Sequence, residues 1–134
     1  MPVSDLGALL RSLRPRLHDG VFVFATLPAD TDPSSIVALA MFRETEGITV
    51  IVEERQAQNA NLRALFRAAW ISLEVHSDLQ AVGLTGAVAS ALTAAGISCN
   101  VVAAVHHDHL FVPIADAGAA MDVLRALQRD AEGG

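Results

Sequence analysis

The stretch from His76 to Thr85 gathers residue types able to hold a small charged molecule. It has an imidazole at His76, hydroxyls at Ser77 and Thr85, a carboxylate at Asp78, and Gly83 followed by Leu84. It leads from an alternating segment into an Ala- and Leu-rich one, so it reads as the loop between a strand and a helix. The first N–H groups of a helix have no intrahelical partner, and with the helix dipole they seat a carboxylate. Gly83 admits close approach to the backbone, and Asp78 can accept from an ammonium. An anion seat beside a cation acceptor suits an amino acid. The same residues also fit a plainer purpose, with Ser77 or Asp78 as N-cap and Gly83 relieving packing.

Three other groups invite chemical readings. His106-His107-Asp108-His109 holds good zinc or nickel ligands. Consecutive strand residues point to opposite faces, however, so the run reads as a hairpin turn and no metal is expected. The single Cys99 excludes an intramolecular disulfide. With no Arg or His beside it, it reads as a small buried hydrophobe. Glu44, Glu46, Glu53 and Glu54 flank a second hairpin and read as a solvated face. No GxSxG, CxxC, P-loop or HExxH motif is present, so neither an enzyme nor a bound cofactor is expected.

The elements that must position these residues follow from periodicity. Leu6, Leu9, Leu10 and Leu13 have helical spacing over 4–14, with Ser4 as a possible cap and Pro15 as the limit. Residues 20–27 read as a buried strand and 28–35 as a loop. ALAMFRE and ITVIVEE form a hairpin around Thr45-Glu46-Gly47. Residues 54–67 read as a weakly amphipathic helix. In 69–76, Ile71, Leu73 and Val75 alternate with Trp70, Ser72, Glu74 and His76. A helix over 82–95 presents Leu84, Val88 and Leu92 and ends at Gly96. Strands over 97–105 and 109–115 and a helix over 117–129 complete the chain.

The second half is thus β-α-β-β-α, and the first half is a weaker copy. This predicts an α+β fold of two tandem ferredoxin-like βαββαβ units, each an antiparallel sheet with its helices on one face. The division falls at 1–67, a degenerate half, and 68–134. Each half lacks a strand at one end, so either the strand at 69–76 is shared or strands are exchanged. Open sheet edges predict a homodimer, and Trp70, on the face away from Ile71 and Leu73, needs cover.

Composition narrows the class. The chain has 134 residues and net charge −6, and all its basic residues are Arg, with no basic stripe, so nucleic acid is not an expected partner. No apolar run is long enough to span a membrane, and the first residues do not read as a signal peptide, so a cytoplasmic location is the expectation.

The segment from Trp70 to Leu124 resembles the ACT domain. The resemblance rests on Val75-His76-Ser77-Asp78, then Gly83-Leu84-Thr85, then Ala94-Ala95-Gly96-Ile97-Ser98. With FRETEGITVIV and HDHLFVP it extends to small tandem-ACT bacterial proteins and covers nearly the whole chain. It implies a non-catalytic regulatory module that binds an amino acid and whose shift in packing is read by a partner protein. In serine-binding ACT domains a His and two Asn hold the ligand. The resemblance places His76 at that His, Asp78 at the first Asn and Ser98 at the second, with Asn100 two residues further along the strand. The ligand-binding set it implies is therefore His76, Ser77, Asp78, Gly83, Leu84, Thr85, Ser98 and Asn100. The alternative is a structural module for oligomerisation, with no physiological ligand.

Overall fold

The computed structural model describes residues 5–74 and 82–133, which fall into two compact units. One unit is Asp19–Ala68; the other takes the chain up to His18 together with everything from Ala69.

The central unit is built from β2 (Phe22–Leu27), β3 (Ala40–Arg43), β4 (Ile48–Glu53) and helix α2 (Glu54–Asn59). Its fourth strand is the start of β5 (Phe66–Leu73). The strand order is β3-β4-β2-β5, with β2 antiparallel to both β4 and β5. Between β2 and β3 the chain makes only a short 3-10 turn, Pro33–Ser35. Alternation sends Val23, Ala25 and Leu27 to one face with Ile48, Val50, Val52 and Ala57 of α2. Phe24 and Phe66 meet on the other face, their rings 5.5 Å apart and tilted by 64°.

The second unit has the order β1-β5-β7-β6, from β1 (Pro15–Leu17), the rest of β5, β6 (Asn100–Ala103) and β7 (Asp108–Pro113). Three helices accompany it: α1 (Leu6–Arg11), α3 (Leu84–Ala94) and α4 (Ala117–Gly133). Both units thus have the ferredoxin-like strand order, and the α+β tandem arrangement stands. In the second unit the fourth strand is β1, from the front of the chain, antiparallel to β5 with Leu17 opposite Ile71. The exchange left open by the sequence is therefore present, and β5 is shared as well.

The core of this unit joins Ala69, Ile71 and Leu73 of β5, Leu110 and Val112 of β7, Leu84, Val88 and Leu92 of α3, and Ala120, Met121 and Leu124 of α4. Helices α3 and α4 therefore share one face, as their stripes predict. Leu9 and Leu13 of the N-terminal arm enter the same core, fully or nearly fully buried. The arm's helix is started by Asp5, whose carboxylate accepts the Ala8 N–H at 2.9 Å.

Helix α3 ends as its sequence dictates. Gly96 takes φ +75°, the Ile97 N–H reaches the Leu92 carbonyl at 2.9 Å and the Gly96 N–H reaches Thr93 at 2.9 Å. Two expectations change. The helix read over 54–67 stops at Asn59, because Asn61 turns left-handed at φ +56°, and Phe66-Arg67-Ala68 begin β5 instead. The helix read over 4–14 stops at Arg11, and Pro15-Arg16-Leu17 pair as a strand. No helix among the described residues is long and apolar enough to cross a membrane.

Candidate functional site

The start of α3 carries Gly83, Leu84 and Thr85 of the expected ligand set. Gly83 precedes it with φ +105° and ψ −20°, and no side chain among the described residues caps the helix. The first backbone bond of the helix runs from the Ala87 N–H to the Gly83 carbonyl at 2.8 Å. The N–H groups of Leu84, Thr85 and Gly86 precede that bond, so they are the donors available to an anion. Thr85 is exposed, and nothing lies within 4 Å of where a Gly86 Cβ would stand. Leu84 is different: its side chain is 3% exposed and packed in the core, so only its backbone can serve a ligand.

Gly83 does more than relieve packing. Its positive φ is a conformation that L side chains rarely adopt, and a Cβ there would come 3.1 Å from Leu6 of α1. His76, Ser77 and Asp78 lie outside the described residues. Ser98 and Asn100 are exposed, but they follow the C-terminal end of α3. Eleven helical residues separate them from Gly83, about 16 Å along the axis. Cys99 and Val101 pack toward the core, which turns Ser98 and Asn100 to the helix-free face. Within one chain, then, Gly83, Leu84 and Thr85 stand together, while Ser98 and Asn100 stand apart from them.

The His-rich run is resolved into separate roles. Ala104 donates to the His107 carbonyl at 3.1 Å to close the turn, and β7 begins at Asp108. Asp108 is buried, and burial pushes its carboxyl above the usual carboxylate range, partly offset by His109 and His107. Burial pushes His109 below the ordinary imidazole value; His107 adds to that and Asp108 opposes it. Among the described residues no group of three His, Cys, Asp or Glu side chains is placed to hold a metal. Burial raises the Cys99 thiol above its usual value, which makes it a poor nucleophile.

A cluster the sequence reading did not assemble lies on the helix-free face. His18 stacks on Trp70, ring centroids 3.5 Å apart and planes within 7°, and its Nε2 lies 2.9 Å from Ser72 Oγ. The Trp70 indole donates to His109 Nδ1 at 3.0 Å. Trp70 and Ser72 could be placed on this face by alternation, but His18 follows a three-residue strand too short to read. The cover that Trp70 needs therefore comes in part from the chain's own His18.

The ACT domain family profile matches residues 2–69, and a second ACT domain profile matches residues 66–126. A solved protein of unknown function from Vibrio cholerae, described as a possible transport protein, is 42% identical; the match covers 92% of this chain and 95% of that one, with a TM-score of 0.83. An Agrobacterium tumefaciens protein, Atu0741, shares the fold at 19% identity, 87% and 89% coverage and a TM-score of 0.68. The regulatory subunit of aspartate kinase from Thermus flavus does so at 12% identity, 86% and 95% coverage and a TM-score of 0.61. No curated protein matches the chain. Two consecutive profile matches and a 42% identical relative over nearly its whole length lead to one conclusion: the chain belongs to the ACT domain family and carries two ACT modules in tandem.

Proposed function

We propose that this protein is a regulatory module without catalytic activity that senses a free amino acid at the start of α3. The observation that carries the reading is the helix start behind Gly83, with no side-chain cap among the described residues, in a chain of two ACT modules. The ligand carboxylate takes the N–H groups of Leu84, Thr85 and Gly86, and Thr85 adds a hydroxyl. Asp78 takes the ammonium, with His76 and Ser77 beside it. Ser98 and Asn100 complete the set only from a second copy, so the working form is a homodimer in the cytoplasm. Binding shifts the packing between modules, and a partner protein reads that shift.

The test is a thermal-shift screen of the twenty amino acids. A ligand at one hundred times its dissociation constant stabilises by about 2.7 kcal/mol, several degrees for a domain of this size. Gly86→Asp should abolish the shift while leaving the unliganded protein as stable or more so. It puts a carboxylate in the first turn, where the dipole favours it and where it repels the ligand's own. A screen with no shift leaves the second reading, a module for assembly alone. The edge strands favour that reading: β3 exposes Met41 and Phe42 (72% for Phe42), and β6 exposes Val102.

A further inference from the structure

Strand β1 is held by little backbone. Three residue pairs join it to β5, flanked by the His18 N–H to the Trp70 carbonyl at 2.9 Å and the Glu74 N–H to the Arg14 carbonyl at 3.0 Å. Side chains add the rest of the hold on this face. His18 lies flat on Trp70 and reaches the buried Ser72 hydroxyl, while Trp70 is itself fixed by its bond to His109 of β7. One connected set of side chains therefore ties β1, β5 and β7 together.

The bond to His109 has only one workable protonation state. An indole N–H donates and never accepts, so His109 Nδ1 must carry a lone pair, and the ring, neutral, keeps its proton on Nε2. A proton on Nδ1 would set two N–H groups head to head at the 3.0 Å separation. We propose that His109 is a proton-operated latch: neutral, it fixes Trp70 and through it tightens the docking of the N-terminal arm, α1 and β1; protonated, it frees Trp70 and loosens the arm.

Among the described residues, the other charged groups around this face are placed differently from His109. Arg16 and Glu74 pair with each other at 3.4 Å and are exposed. Arg14 is exposed. His107 sits in the adjoining turn, where its charge opposes protonation of His109, and Asp108 favours it. Strand β6, paired with β7 through Val102 opposite His109, has no ionisable side chain. His18, across the indole, carries the effect to β1.

Trp70 is the one tryptophan of the chain, so its emission reports the latch directly. Emission should titrate between pH 8 and pH 5 with a midpoint below 6.5. Amide exchange of residues 5–18, corrected for its intrinsic pH dependence, should accelerate with the same midpoint, by about tenfold or more. His109→Asn keeps an acceptor where Nδ1 stood and cannot take the proton; its emission should stay flat and its arm protected at pH 5. His109→Phe should show at pH 8 the arm exchange that the wild type shows at pH 5. An emission titration that survives in His109→Asn overturns the proposal, as does a wild-type emission change with no change in arm exchange.

Discussion

At the scale of single residues, two glycines of one helix start behave oppositely. Gly83 sits at φ +105° with Leu6 against it, so alanine there adds a strained backbone and a tight contact. Urea unfolding should show a loss of about 1–3 kcal/mol. A bulkier substitution at Gly83 is therefore no test of ligand binding, because it damages the fold first. Gly86 lies inside α3 with open space where a Cβ would stand, and Gly86→Ala should gain about 0.5–1 kcal/mol in the same assay. The ionisable pair at the start of β7, buried Asp108 and half-buried His109, makes a signed prediction. His109 holds its proton less tightly when folded, so the unfolded chain protonates first as pH falls below the ordinary 6.5. Stability is lost from there until pH passes the lowered folded value. Asp108 works the other way: folded, it holds its proton more tightly than the ordinary 3.8, so its cost is absent below 3.8 and complete above the raised folded value. Asp108→Asn should raise the melting temperature at pH 7 and have no such effect at pH 3. His109→Asn should flatten the fall between pH 7 and pH 5.

At the scale of elements, the N-terminal arm is held mainly by burial. Leu9 is fully buried in the core of the second unit, and Leu9→Ala should cost about 2–5 kcal/mol by urea unfolding. Gln128→Ala removes one bond to the Arg11 carbonyl at the surface and should cost about 1 kcal/mol or less. Comparing the two separates packing from tethering. The same contrast explains which elements could be read from sequence. Helix α3 has Leu84, Val88 and Leu92 at 3–4 spacing and a glycine at its end, and β5 sends Ala69, Ile71 and Leu73 to the core face; both signals are local and survive in the fold. Strand β1 has three residues, which is too few to show alternation, and its pairing partner lies more than fifty residues on. Residues 54–67 misled because Leu62, Leu65 and Phe66 mimic a helical stripe, whereas Asn61 ends the helix through its backbone conformation. Of the candidate site, the helix start and its glycine were legible. So was the inward turn of Leu84, which the stripe already carries; that Ser98 and Asn100 stand a helix length away was not, because it depends on how α3 lies on the sheet.

At the scale of the whole molecule, sequence order and packing divide the chain differently. The family profiles meet near residues 66–69, yet the arm before His18 packs with the C-terminal unit. A chain cut at residue 68 loses β1, Leu9 and Leu13 from a core that also holds Leu73, Leu84, Met121 and Leu124. It exposes the edge of β5 as well, so the fragment 69–134 alone should show no cooperative unfolding transition. Fusing residues 5–18 behind Gly134 through a flexible linker restores β1 as the last strand of a continuous βαββαβ unit. Helices α1 and α4 already pack together, with Gln128 bonded to Arg11, so the arm has its docking surface waiting at that end of the chain. The permuted fragment should unfold in one cooperative step, and Leu9→Ala within it should lower stability by the same few kcal/mol as in the full chain. If the fragment 69–134 already unfolds cooperatively, and adding the arm changes neither midpoint nor slope, the arm is an appendage and the profile boundary is also the folding boundary.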